Sequence, residues 1–158
     1  MTSSGHPADE FPVQGRLGGV DFGTVRIGLA VSDPDRRLAS PYEIYHRRSA
    51  AADAEYFRHF VREERIVGFV IGLPVHTSGE ESQKSAEVRT FAKWLHEITG
   101  LPIRFYDERY TSVLAEQSLV EARLTRKRRK ARLDKVAAQL ILAAYLESTH
   151  QYLPGSLS

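Results

Sequence analysis

Three short apolar runs follow one another early in the chain with no room for a helix between them, and this order limits the available folds more than any other feature. Leu17–Phe22 and Ile27–Val31 are separated only by Gly23-Thr24-Val25-Arg26, the spacing of two strands joined by a tight connection, and a third strand falls within Leu38–His46. From Ala50 the period changes. Tyr56, Phe57, Phe60 and Val61 recur at helical spacing up to Arg65, after which Ile66–Ile71 is continuously apolar, as a strand buried on both faces is. Gly72-Leu73-Pro74 is expected to stop that strand. Ser82–Thr99 sets Val88, Phe91, Ala92, Leu95 and Ile98 along one side of an amphipathic helix closed by Gly100, with Pro102 just beyond. Ile103–Tyr106 is read as a fifth strand, Thr111–Ala122 as a helix, and Leu133–Leu146 as a last helix with Leu133, Val136, Leu140 and Ala144 on its apolar stripe. The order β-β-β-α-β-α-β-α-α predicts an α/β fold: a mixed five-stranded sheet with helices packed on its faces.

A chain of 158 residues has the length of one domain with one real core. Residues 1–16 are polar, aperiodic and interrupted by Pro7 and Pro12, and are expected to form a flexible N-terminal extension; residues 17–149 form the folded domain and 150–158 a C-terminal tail. The absence of cysteine removes disulfides, thiolate zinc sites and thiol catalysis. Neither a signal-peptide run nor a membrane-spanning stretch occurs, so a cytoplasmic protein without a membrane partner is expected. The net charge is only +2, but Arg123, Arg126, Lys127, Arg128, Arg129, Lys130, Arg132 and Lys135 crowd one segment.

Certain acidic residues fall where the pattern wants apolar ones or a strand end. Asp21 sits inside Gly19-Val20-Asp21-Phe22-Gly23, Asp107 and Glu108 follow Phe105-Tyr106, and Asp134 opens the expected last helix. A carboxylate in an apolar strand is unfavourable to bury without a partner. A hard cation such as Mg²⁺ or Mn²⁺ supplies one, because it is bound by a few carboxylates together with phosphate oxygens of a substrate. Two such ions activate water and stabilise the leaving oxygen of a phosphodiester, with no histidine base required. Each acid also has an ordinary account: Asp134 as a favourable charge near a helix N-terminus, Glu108 paired with Arg109 or Arg104, Asp21 in turn hydrogen bonds near Gly23. Strand alternation separates Asp107 from Glu108 but leaves open which of them faces the site. The six histidines show no zinc spacing, and core packing accounts for Trp94. The basic run beside Asp134 suits contact with nucleic-acid phosphates through Arg126, Lys127, Arg128, Arg129 and Lys130, the alternative being a solvated helix face or loop; Arg26 near Asp21 and Arg109 beside Glu108 fit further phosphate contacts or structural ion pairs.

The segments Gly19-Val20-Asp21-Phe22-Gly23-Thr24-Val25-Arg26-Ile27-Gly28-Leu29-Ala30, Val70-Ile71-Gly72-Leu73-Pro74 with Gly79, Asp107-Glu108-Arg109-Tyr110-Thr111-Ser112 and Asp134-Lys135-Val136-Ala137-Ala138 together resemble the YqgF family, also called RuvX, from about Leu17 to Glu147. The resemblance implies a ribonuclease H-like fold related to the Holliday junction resolvase RuvC. It also implies a nuclease that matures the 5′ end of precursor 16S ribosomal RNA, DNA-junction activity being the older label. Carried over by position, Asp21, Glu108 and Asp134 are its metal-binding catalytic carboxylates, with Asp107 as the alternative to Glu108. RuvC-type resolvases carry a further acid where this chain has Ala137, which leaves three. The implied partner is nucleic acid, a structured RNA precursor or branched DNA, bound by a monomer or homodimer.

Two other functions fit parts of the pattern. Asp21-Phe22-Gly23-Thr24 resembles the first phosphate loop of sugar kinases and actin-like ATPases, but those need two such domains and this chain has length for one. A non-catalytic RNA-binding assembly factor would use the basic run alone and would not need all three acids.

Overall fold

The computed structural model describes residues 11–74, 83–108 and 126–152, and within the last segment the side chains of 136–149. Its elements are β1 (Arg16–Asp21), β2 (Arg26–Ser32), β3 (Ala39–His46), α1 (Ala50–Glu64), β4 (Ile66–Leu73), α2 (Gln83–Thr99), β5 (Ile103–Asp107) and α3 (Arg126–Tyr152). The strands form one sheet in the order β3-β2-β1-β4-β5. β1 to β3 form an antiparallel meander, while β4 runs parallel to both β1 and β5. This is the mixed five-stranded sheet of a ribonuclease H-like fold. β1 lies at its centre, so the chain's first strand is flanked on both sides.

Period-2 alternation along the strands divides the core into two layers. Val20 on β1 and Phe69 and Ile71 on β4 pack with Phe57 and Phe60 of α1 and Phe91 and Leu95 of α2. Leu17, Ala30 and Val70 point the other way and pack with Ala138, Ile141, Leu142 and Tyr145 of α3. Each large side chain so removed from water contributes about 1.5–3 kcal/mol. The amphipathic face expected on α2 is the one buried, through Val88, Phe91, Ala92 and Leu95, and Gly100 at φ +74° ends the helix with its N–H on the His96 carbonyl at 2.7 Å.

The structure departs from the sequence expectations in four places. Gly72 and Leu73 belong to β4 and extend it, because both pair with β5, opposite Tyr106 and Asp107. α3 begins at Arg126, so Asp134 lies well inside a helix whose opening turns are basic; Lys and Arg are good helix formers and do not break it. Its buried stripe is Ala138, Ile141, Leu142, Tyr145 and Leu146, rotated from the expected one, since this segment is apolar on more than one side and periodicity alone does not select the face. Residues 11–16 are held rather than free: Phe11 is buried against Tyr145, Arg16 opens β1, and the Arg36 guanidinium donates to the carbonyls of Pro12, Gln14 and Gly15. The helix expected over Thr111–Ala122, like residues 1–10 and 153–158 of the expected extension and tail, lies outside the described residues.

One polar cluster in the α1 layer is buried. Ser49 caps α1, its side chain accepting from the Ala52 N–H at 3.1 Å, and Asp53 in the first turn is 2 % exposed. Asp53 accepts from the Tyr45 hydroxyl at 2.6 Å, the Arg48 N–H at 2.9 Å and the Arg47 guanidinium at 3.3 Å. Burial pushes its carboxyl up, but these donors outweigh it and hold Asp53 below the usual carboxylate value. Burial and the Asp53 carboxylate in turn push the Tyr45 hydroxyl up to about 12. A lowered carboxyl stabilises the fold above its ordinary value and loses that contribution as pH falls through the lowered one. Asp53→Ala should therefore cost about 2–4 kcal/mol in urea unfolding near neutral pH, by orphaning the Tyr45 and Arg48 donors. The margin of the native chain over Asp53→Asn should shrink as pH falls below 3.8, the ordinary value for aspartate.

Candidate active site

Glycine on the α3 side of the central strands lets that helix approach the sheet. A Cβ at Gly19 would lie 2.9 Å from both the Ala138 carbonyl oxygen and the Leu142 Cβ, and one at Gly72 would lie 2.5 Å from Ile141 Cδ1. At Gly19 helix backbone, and at Gly72 the side chains of Ile141 and Glu108, occupy the space a side chain would need, so neither position accepts one without displacement. Asp21 stands two residues beyond Gly19 on the same face of β1, half-buried where the strand ends.

The same alternation settles the geometry at the end of β5. Ile103 and Phe105 belong to the α1/α2 layer, so Asp107 shares their side of the sheet. Tyr106 packs against Tyr145 of α3, and Glu108 continues on that side. The Glu108 N–H donates to the Leu73 carbonyl at 3.1 Å, extending the pairing of β5 with β4 by one residue and fixing the direction of the side chain. Its carboxylate then lies over Gly72: a Cβ there would be 2.9 Å from Glu108 Oε1 and 3.0 Å from its Cγ. From this position Glu108 is hydrogen-bonded to Asp21.

Two carboxylates in contact within a partly buried site do not both ionise readily. Burial first, and then the Asp21 charge beside it, push Glu108 up to about 7, with a smaller contribution from Asp107 and partial relief from the Lys84 ammonium. The titration belongs to the pair. Beside it opens a polar pocket of about 310 Å³ lined by Asp21, Gly23, Thr24, Arg26, Gly28 and Lys84. The chemistry of this donor set fits a hard divalent cation: two carboxylates in contact offer oxygen ligands, and the pocket has room for water and a phosphate. Among the described residues no three acids or histidines form a metal cluster; the described part of the site is the Asp21–Glu108 pair.

The expected site residues are distributed as follows. Asp21 and Glu108 come together, and Arg26, exposed at the start of β2, lines the same pocket. Position 134 is placed by its backbone only: it lies in α3, one turn before Ala138, which sits over Gly19. Arg126, Lys127, Arg128, Arg129 and Lys130 occupy the opening turns of the same helix instead of a link between helices, and Arg109 lies outside the described residues. Sequence reasoning missed Lys84, one residue into α2, because only tertiary packing brings that turn to Asp21. It also missed the role of Gly72, which looked like a strand stop. His46, His59 and His96 are exposed.

Two measurements check this geometry. Gly72→Ala must displace Glu108 or Ile141, and should weaken Mn²⁺ binding, measured by calorimetry, by about tenfold or more while leaving a folded chain. Because Glu108 titrates above its ordinary 4.5, its protonated form favours the fold; that contribution is present below pH 4.5 and lost as pH rises through about 7. Metal-free Glu108→Gln should thus match the native chain near pH 4.5 and exceed its stability above pH 7 by roughly 1–3 kcal/mol in urea unfolding.

The whole described frame has relatives. A family model described as "RuvX: Holliday junction resolvase" matches residues 15–148. A protein of Rhodopirellula baltica named "Putative pre-16S rRNA nuclease" is 51% identical over 140 residues, covering 89% of this chain and 81% of the relative. A Rhodobacter capsulatus protein of the same name is 43% identical over 140 residues, covering 89% of this chain and 88% of the relative. Among solved structures, Thermus thermophilus RuvC aligns with a TM-score of 0.49 at 12% identity, over 84% of this chain and 94% of that one. The matched segment spans all five strands and α1 and α2, including Asp21, Gly72 and Glu108, and nearly all of α3, and the chain belongs to the RuvX family.

Proposed function

We propose that residues 17–149 form a metal-dependent nuclease domain that hydrolyses phosphodiester bonds of a structured RNA precursor, with Asp21, Glu108 and Asp134 as its catalytic carboxylates. The observation that carries this reading is the Asp21–Glu108 contact: two acids from separate strands, meeting on the face covered by α3, at the mouth of a polar pocket rimmed by Arg26 and Lys84. The relatives' name supports the RNA precursor as substrate. The cytoplasm is the compartment this reading assigns, and among the described residues no helix is long and apolar enough to cross a membrane.

Asp21 and Glu108, joined by Asp134 of α3, would hold Mg²⁺ or Mn²⁺. When bound, such an ion acts as a Lewis acid on the phosphoryl oxygens and lowers the pKa of water at neutral pH. The chain's own residues do the rest. Gly72 leaves the space in which the Glu108 carboxylate sits, and the Leu73 carbonyl fixes its register. Arg26 and Lys84 bring positive charge to the rim, where a phosphate oxygen is neutralised and the scissile group is oriented. Ionised Glu108 would be needed to hold a cation, and the proton it shares with Asp21 opposes that ionisation. The basic opening turns of α3, Arg126 to Lys130, together with Arg109, supply further phosphate contacts along the substrate.

The test is cleavage of a structured RNA precursor and of a four-way DNA junction with Mg²⁺, for the native chain and for folded Asp21→Asn and Asp134→Asn. Each variant should lose at least about a hundredfold in rate with its fold intact by circular dichroism. Faster cutting of RNA supports the precursor reading, and faster cutting of the junction redirects the proposal to branched DNA. RNA binding with no cleavage by the native chain would make it an assembly factor instead.

A further inference from the structure

A second pocket adjoins the carboxylate site. It lies between the turn after β1 and the exposed side of α2, measures about 530 Å³, and its surface is mainly apolar. Phe22 and Thr24 line it and also line the carboxylate pocket, so the two cavities share a wall. Its aromatic wall is the half-buried Trp94, backed by the edges of the buried rings Phe91, 5.6 Å from Trp94 between centroids, and Phe22, 4.7 Å from Phe91. Arg47 forms another wall, its guanidinium 5.4 Å from the Phe22 centroid and 5.9 Å from that of Phe91.

Arg47 is a fixed wall and not a loose surface side chain. The 2 % exposed Asp53 carboxylate accepts from its Nε at 3.3 Å, and its backbone N–H donates to the Val25 carbonyl at 2.9 Å, in the turn that also carries Phe22 and Thr24. A planar cation held beside aromatic rings, next to a site for a phosphate, is complementary to a nucleotide: the flat base meets rings and guanidinium while its phosphate lies toward the carboxylates. A paired base within a duplex has its faces covered by its neighbours, so the occupant is an unpaired one.

We propose that this pocket receives an unpaired nucleobase of the strand whose scissile phosphate lies at Asp21 and Glu108, making the protein selective for a single-stranded or splayed segment at the cutting position. The inference rests on the nuclease reading above. Stacking on aromatic faces tolerates every base, so the selection is for strand state more than for sequence.

Trp94 is the only tryptophan of the chain and lines the pocket, so its emission reports occupancy apart from any cleavage. The probe is a fluorescein-labelled single-stranded RNA of about a dozen nucleotides, with a duplex of the same sequence and a set in which each base in turn is abasic. Ca²⁺ replaces Mg²⁺, and anisotropy follows binding in parallel. The intact single strand should quench Trp94, the duplex should bind without quenching it, and one abasic position should remove the quench. Ala86→Leu fills the pocket from the exposed side of α2 with a good helix former. It should abolish the quench and weaken single-strand binding by about tenfold, while duplex binding changes less than about twofold. Binding by anisotropy without quenching, or quenching that survives every abasic substitution and Ala86→Leu, overturns the base pocket and leaves the nuclease reading standing. No binding of any probe overturns both.

Discussion

The close approach of α3 to the sheet over Gly19 and Gly72 is the constraint on which the site depends. Both glycines lie on the face that β1 and β4 turn toward the helix, and at both a methyl group would enter occupied space. At Gly19 the obstructing atoms belong to α3 itself, so that position sets the distance between helix and sheet. At Gly72 they belong to Ile141 and to Glu108, so one missing side chain admits both the helix and the carboxylate. A packed interior does not absorb even a methylene without strain, and side chains at these positions would force the layers apart or expel the acid. The core of the α3 layer and the site are thus consequences of one packing arrangement.

That arrangement creates an electrostatic problem which a bound cation would solve. Glu108 and Asp21 are brought into contact by strand register and not by mutual attraction, and below about pH 7 one proton is shared between them. The fold tolerates the pair because hydrophobic burial on both faces of the sheet exceeds the local penalty. Asp53 offers a contrast within the same molecule. It is more deeply buried than Asp21, yet three donors surround it and its pKa falls, whereas in the Asp21–Glu108 contact an acid faces an acid and that of Glu108 rises. The first environment is satisfied by the protein alone; the second is one that a bound cation would complete.

Much of this was legible in the sequence, where local pattern and tertiary demand coincide. The three leading strands, α1, β4 and α2 follow from period and punctuation, and Asp21 stood out because an acid interrupts an apolar strand. Which of Asp107 and Glu108 lies on the α3 face was not legible, because alternation gives two faces without saying which one a later helix covers; Tyr106 packing on Tyr145 supplies that information. The stripe of α3 was misplaced because Ala137 to Leu146 is apolar nearly all round, so only the sheet it meets decides its orientation. Lys84 and the base pocket depend on α2 lying beside the turn after β1, a contact between segments distant along the chain that no local pattern encodes.

The cluster around Asp53 joins stability to the site. Tyr45 on β3, the start of α1 and the turn after β1 meet at one carboxylate, through Arg47 and its backbone bond to Val25. That turn carries Phe22 and Thr24, which separate the polar pocket from the aromatic one. A rigid wall between a charged site and a stacking surface fixes the separation between where a phosphate and where a base can sit, and hence which backbone geometry is accepted. Asp53 touches neither pocket, yet it sets their relative position through Arg47. The fold and the selectivity proposed for it are therefore governed by the same hydrogen bonds.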